Sequence, residues 1–169
     1  YVRGVAWALQ QHDYATGGWE GVLAGDVPVG AGLSSSAALE LATARAFGAV
    51  DGWHWDPGVM ARICQYAENR WVGVNCGIMD QMISAAGVEN HALRIDCRTL
   101  DTVPMPLPAD TAIAVLDTCT RRGLVDSAYN ERRQQCEAAA AFFGVAALRD
   151  VSVAQLAAAE AALDPVIFR

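Results

Sequence analysis

Upstream of Leu41 the chain reads Pro28-Val29-Gly30-Ala31-Gly32-Leu33-Ser34-Ser35-Ser36-Ala37-Ala38, two spaced glycines followed by serines and then strong helix formers. The pattern suits an anion. Glycines let the backbone approach a phosphate closely, a helix start offers unpaired N–H donors and a partial positive charge, and serine hydroxyls bond phosphate oxygens or a magnesium ion. No lysine follows, so this is not the Gly-x-x-x-x-Gly-Lys-Ser/Thr loop, and the spacing differs from the Gly-x-Gly-x-x-Gly of dinucleotide folds. A tight turn with an ordinary serine cap is the plain alternative.

A second segment, Gly73-Val74-Asn75-Cys76-Gly77-Ile78-Met79-Asp80-Gln81, puts one carboxylate in the first turn of a helix just after a glycine-rich turn. The helix dipole favours an acid there, so Asp80 reads either as a structural first-turn acid or as a group that orients and deprotonates a hydroxyl in phosphoryl transfer. Glu68, in Ala67-Glu68-Asn69-Arg70, falls toward the end of the preceding helix, where negative charge opposes the dipole. Two explanations stay open: a pair with a neighbour such as Arg70, or a hard oxygen ligand for a cation. The third cluster runs Asp117-Thr118-Cys119-Thr120-Arg121-Arg122-Gly123-Leu124 and continues as Ser127-Ala128-Tyr129-Asn130-Glu131-Arg132-Arg133. It brings positive charge to the end of an apolar run. Surface solvation suffices to explain Arg132 and Arg133, and packing suffices for Tyr129.

The elements that must position these residues follow from periodicity. Helices are predicted for Tyr1 to Gln11, from Ser34 to near Gly48, for Pro57 to Trp71 with Met60, Ile63, Cys64 and Ala67 on one stripe, and for Gly77 to Ala86. Further helices are predicted over Ser127 to Phe143 and Ser152 to Leu163. Trp19 to Val27, His91 to Cys97 and Thr111 to Asp117 read as strands, the last nearly all apolar and so expected to be covered on both faces. No internal repeat, low-complexity linker or domain boundary stands out.

Composition narrows the function classes. A chain of 169 residues, more than half of them apolar, can bury a real core. No window has the roughly 18 consecutive apolar residues of a spanning helix. Tyr1-Val2-Arg3-Gly4 has neither the layout of a signal peptide nor an initiator methionine, so the N-terminus is expected to be cut from something longer. The formal charge is -7 with acids and bases interleaved, which argues against nucleic acid and leaves ATP possible, because backbone N–H groups and a metal ion handle phosphates locally. Cys64, Cys76, Cys97, Cys119 and Cys136 include no Cys-x-x-Cys pair and read as reduced thiols, each of them a small buried hydrophobe.

Taken together the three segments resemble the galactokinases, within the family of kinases for galactose, homoserine, mevalonate and phosphomevalonate. Pro28 to Ala38 resembles the family's phosphate loop, and Cys76-Gly77-Ile78-Met79-Asp80-Gln81 resembles the segment bearing the catalytic base. Arg121-Arg122-Gly123-Leu124 through Tyr129-Asn130-Glu131-Arg132-Arg133 is similar to a stretch of galactokinases rather than of the wider family, although Cys119-Thr120 departs from the pair expected before that arginine. The likeness runs the length of the chain.

The resemblance implies an α+β fold, a mixed β-sheet covered by helices and akin to the second domain of a ribosomal protein. Residues 1–169 would form most of the N-terminal domain of a two-domain small-molecule kinase, with the sugar-binding segment and the second domain outside the chain. It implies that Gly30, Ala31, Gly32, Leu33, Ser34, Ser35 and Ser36 surround the phosphates of ATP, with Arg121 near the nucleotide. Ser36 and Glu68 would hold Mg²⁺, Asp80 would be the base toward the anomeric hydroxyl, and Tyr129 would contact galactose. The implied activity is phosphorylation of the C1 hydroxyl of α-D-galactose by MgATP, in a cytoplasmic, monomeric parent enzyme without nucleic-acid or membrane partners. The 169-residue chain alone is expected to be inactive. A kinase for a uronic acid or an N-acetylated amino sugar, and a catalytically silent galactokinase-like sugar sensor, are the alternatives.

Overall fold

The computed structural model describes residues 1–117 and 125–168. The chain forms two compact units, Tyr1–Arg122 and Gly123–Arg169. In the first, α1 (Val2–Gln11), α2 (Ser35–Asp51), α3 (Pro57–Ala67) and α4 (Met79–Ala86) precede β1 (His91–Ile95) and β2 (Thr102–Pro106). Each helix forms where apolar residues recur at helical spacing. Val5, Ala8 and Leu9 of α1, Leu41, Ala44 and Phe47 of α2, and Met60, Ile63, Cys64 and Ala67 of α3 meet in one buried core. A smaller cluster, Ala61, Ile78 and Met82, joins α3 and α4 and receives Leu93 and Ile95 from β1.

Local signals set the ends of these helices. Asp56 caps α3 by accepting from the Val59 N–H at 2.9 Å, with Pro57 in the first turn, where its missing N–H has no intrahelical role. The helix expected to run unbroken to Trp71 instead widens into a π-helical turn, Glu68–Val72, closed by Gly73 at φ 89°. Both the Gly73 and the Val74 N–H donate to the Glu68 carbonyl, at 3.0 and 3.2 Å. Only glycine adopts that left-handed φ without strain.

The α+β class holds, and among the described residues its sheet is one antiparallel pair, β1 with β2, in the register His91↔Pro106 to Ile95↔Thr102. Strand β2 was not legible because Pro104 and Pro106 argue against a strand. The ladder explains why they fit. Leu107 N–H donates to the Asn90 carbonyl and Asp96 N–H to the Asp101 carbonyl, so alternate pairs carry the hydrogen bonds, and Pro104 and Pro106 fall on the others, where no donor to β1 is needed.

The expected strands Trp19 to Val27 and Thr111 to Asp117 pair with neither β1 nor β2 and have no regular structure. The expected covering is absent too: Ile113 is 78% and Leu116 88% exposed. An apolar run supplies a strand's side chains, but only a neighbouring backbone supplies its ladder. Trp19 is anchored by its ring, which lies edge-on to Phe47 at 6.0 Å.

The second unit contains α5 (Val125–Phe143), a 3-10 turn (Leu148–Asp150), α6 (Val153–Ala158) and α7 (Pro165–Phe168). The helix expected over Ser152 to Leu163 stops at Ala158 and begins with a full capping box between Ser152 and Gln155. On α5, Arg133 Nε donates to Glu137 Oε1 at 2.6 Å and Arg132 Nη1 to Gln135 Oε1 at 2.6 Å, both on the exposed face. Among the described residues no helix is long and apolar enough to cross a membrane.

Core and cap should separate cleanly in urea unfolding. Leu9→Ala, at a fully buried position, is expected to cost about 2–5 kcal/mol, and Asp56→Ala about 1 kcal/mol. Equal losses from the two would contradict the placement of the core between α1, α2 and α3.

Candidate active site

The loop before α2 is shaped by alternation of backbone sign. Gly30 (φ 73°), Gly32 (φ 75°) and Ser34 (φ 59°) are left-handed, while Ala31 and Leu33 between them are not. Alternation of the sign of φ is the backbone pattern from which concave anion nests are built. Glycine adopts the conformation freely at two of the positions; at Ser34 it costs about 1–2 kcal/mol. Ser34 occupies the N-cap of α2 yet its side chain makes no capping bond, so an ordinary serine cap is not what forms. The first backbone bond of the helix is Ala38 N–H to the Ser34 carbonyl at 3.0 Å, which leaves the N–H groups of Ser35, Ser36 and Ala37 without an intrahelical acceptor. Ser34, Ser35 and Ser36 are half-buried.

One turn beyond Ser36, and on the same side of the helix, lies Glu40. It occupies the buried stripe of α2 with Ala37, Leu41, Ala44 and Phe47, and is 0% exposed. Its partner is Gln81 on α4, likewise 0% exposed. Gln81 Nε2 donates to Glu40 Oε2 at 3.1 Å and to Glu68 Oε2 at 2.6 Å, so a single amide nitrogen ties together two buried carboxylates from different helices. Cys76 closes the cluster: its thiol lies 3.3 Å from Glu68 Oε2 and 3.3 Å from Asn69 Oδ1, while its carbonyl accepts from Gln65 Nε2 at 3.1 Å.

Glu68 is 6% exposed. Its carboxylate faces Gln81 and Cys76, so the pair with Arg70 left open by the sequence is not formed, and Arg70 is exposed. The π-helical turn matters here, because it begins at Glu68 and frees that residue from the regular end of α3. Asp80 is half-buried in the first turn of α4, immediately before Gln81, where the helix dipole favours negative charge.

Two like charges cannot share such a site freely. Burial, and after it the charge of Glu68, push the Glu40 carboxyl up to about 8, against the pull of the Gln81 hydrogen bond. Glu40 is therefore mostly neutral near pH 7. Protonation gives it a donor at a place where Glu40 Oε1 and Gln81 Oε1 have no hydrogen-bond partner among the described residues. Burial and Glu68 also push the Cys76 thiol up to about 12, and burial raises the Cys64 thiol, so both stay as thiols. Cys64 is the buried hydrophobe expected of it, whereas Cys97 and Cys136 are free and exposed.

Within the first unit the Gln81 amide links Glu68 to Glu40, one turn beyond Ser36 in α2, and Asp80 directly precedes Gln81 in α4. Arg121 and Cys119 lie outside the described residues, as does the side chain of Tyr129. Glu40 and Gln81 were not singled out from the sequence as site residues. The signal was there, since both interrupt an apolar helical stripe with a polar side chain.

The donor set bears on Mg²⁺. No group of three or more His, Cys, Asp or Glu side chains among the described residues could hold a metal. A serine hydroxyl and one carboxylate are, however, the sparse hard-oxygen set that Mg²⁺ accepts when phosphates and water complete its shell. Ser36 and Glu68 are of those two types, and the open N–H groups before Ala38 are of the type that phosphates accept from.

The fold and the loop are those of a small-molecule kinase domain. Residues 1–88 match the family model described as the GHMP kinases N terminal domain, and the chain belongs to that family. Its structure is similar to that of Lactococcus lactis galactokinase, solved as a complex with galactose, with a TM-score of 0.81 and 25% sequence identity. The match covers 99% of this chain and 45% of that one, so the chain spans just under half the length of this relative.

Glu40 makes the pH dependence of stability testable. In the fold its carboxyl is raised from the ordinary 4.5 to about 8, so its contribution to stability is fully present below about pH 4.5 and lost as pH rises through about 8. Glu40→Gln, which cannot ionise, should flatten the fall in the urea midpoint across that window. An unchanged slope would mean that the carboxyl ionises as readily in the fold as in the open chain.

Proposed function

We propose that this chain is most of the N-terminal domain of a longer two-domain kinase that transfers the γ-phosphoryl group of ATP to the C1 hydroxyl of α-D-galactose. The observation that carries this reading is the likeness to a galactose-bound galactokinase over 99% of the chain. In this reading the N–H groups of Gly30 to Ser36 hold the phosphates of ATP, and Ser36 and Glu68 hold Mg²⁺. When bound, the metal ion neutralises charge on the phosphates. Asp80 orients the C1 hydroxyl and takes its proton on a carboxylate oxygen as the new bond from the C1 oxygen to the γ-phosphorus forms and the bond from the γ-phosphorus to the β–γ bridging oxygen breaks, releasing ADP.

Most of the catalysis is then positioning and electrostatics. The arrangement supports it: the nest and Asp80 sit at the N-terminal ends of α2 and α4, which face the same buried cluster. Tyr129 is proposed to contact the sugar and Arg121 the nucleotide. Because the chain spans less than half of its galactokinase relative, the 169 residues alone are expected not to turn over.

The test is ATP-dependent phosphorylation by the full-length protein across hexoses, uronic acids and amino sugars, beside Asp80→Asn. Turnover on galactose that falls by about 10²–10⁴-fold in the variant, with ATP still bound, is the expected result. Preference for a uronic acid or an amino sugar would keep the mechanism and change the substrate. Binding of ATP and galactose without turnover in the unmodified protein would identify a sugar sensor and overturn the catalytic role of Asp80.

A further inference from the structure

The buried link between α2 and α4 has no role in the mechanism above. Its composition is unusual for a core. Glu40 and Gln81, both 0% exposed, occupy positions on apolar stripes where Leu or Met would pack without penalty. Each also leaves one buried oxygen, Glu40 Oε1 and Gln81 Oε1, without a hydrogen-bond partner among the described residues. Polar groups in that condition destabilise a fold, so packing alone does not account for them.

What the pair does geometrically is direct one N–H at Glu68. Gln81 Nε2 spends one proton on Glu40 Oε2 and the other on Glu68 Oε2. The Cys76 thiol meets the same Glu68 oxygen, so both contacts fall on Oε2 and Oε1 is engaged by neither. A carboxylate held by one oxygen presents the other in a fixed direction, which is how outer groups orient a metal ligand. Glu40 supplies the anchor: without it the amide could rotate about the end of its side chain and the orientation would be lost.

We infer that Gln81 and Glu40 are positioning residues that together aim the Glu68 carboxylate, through Gln81 Nε2 held between the two Oε2 atoms, so that its free oxygen serves a divalent cation. This rests on the assignment of Glu68 as a cation ligand. The cluster deepens that assignment by adding an orienting pair from two other helices. Neither residue touches substrate. Their effect is on cation affinity, not on the reacting atoms.

The experiment uses the full-length protein with Mn²⁺, read by electron paramagnetic resonance in the presence of a non-hydrolysable ATP analogue, alongside Mg²⁺-dependent turnover and thermal melting. Gln81→Met removes the link and Glu40→Leu removes its anchor. Each is expected to weaken Mn²⁺ binding by about tenfold or more and to raise the Mg²⁺ needed for half-maximal turnover by a similar factor. Saturating Mg²⁺ should recover most of kcat, and Glu40→Gln, which still offers an oxygen to Gln81 Nε2, should recover most of the affinity.

Unchanged Mn²⁺ affinity in folded Gln81→Met or Glu40→Leu protein, whatever its melting temperature, overturns the inference. If neither variant folds, the unmodified protein decides: the side-chain amide resonance of Gln81 should shift when Mg²⁺ joins the bound analogue, and a fixed resonance overturns the proposal. Glu68→Gln separates the two levels of the argument. Loss of Mn²⁺ affinity there, with none in the other variants, removes only the positioning role; retention there removes Glu68 as a ligand and the inference with it.

Discussion

Two carboxylates share one amide nitrogen in the interior of this domain, and the arrangement of its helices depends on that constraint. Glu40 comes from α2, Glu68 from the end of α3 and Gln81 from α4, so the contact can exist only when the three helices are in register. Apolar packing would not be so selective, because hydrophobic surfaces tolerate small slips. A donor that must reach two acceptors at 3.1 and 2.6 Å does not. The raised Glu40 carboxyl follows from the same crowding: a second full charge beside Glu68 in that volume is disfavoured, and the proton is retained.

The cluster also ties the loop to Asp80. Ser36 begins the helix that carries Glu40, and Asp80 precedes Gln81 in α4. Fixing Glu40 to Gln81 therefore fixes the N-terminus of α2, with its open N–H groups, relative to the N-terminus of α4, with Asp80 in its first turn. The π-helical turn makes room for this. A regular helix through Trp71 would carry Glu68 into a terminal turn, where its charge opposes the dipole; the wider turn, closed by Gly73, lets the carboxylate turn inward instead.

Helices and loop were legible in the sequence to very different degrees from strands. Val5, Ala8 and Leu9, or Met60, Ile63, Cys64 and Ala67, carry their periodicity in the chain itself, so α1 and α3 could be placed to within a few residues. Thr111 to Asp117 looked equally regular, but a ladder partner lies elsewhere in the chain and periodicity cannot name it. Strand β2 failed for the opposite reason: Pro104 and Pro106 mask it, and only the register shows that neither proline faces a hydrogen-bonded pair. At the candidate site, Ser36, Glu68 and Asp80 stood out by their positions near helix ends. Glu40 and Gln81 did not, because a polar residue in an apolar stripe is easily taken for a gap in the pattern, and its meaning appears only with its partner.

The proposed role in holding phosphates is compatible with a chain of net charge -7 because of how the loop is built. All 12 basic residues are arginine, and none lies between Arg3 and Arg45, so the loop from Gly30 to Ser36 has no cationic side chain in its own stretch of sequence. Its positive potential is carried by backbone dipoles, those of the N–H groups left open at the start of α2, which the positive-φ residues at 30, 32 and 34 lead into. Such donors are fixed by the backbone and neutral overall. They suit an anion without adding a mobile charge to the surface. A lysine in the loop would instead bring a flexible full charge, free to pair with any carboxylate within its reach when no anion was bound.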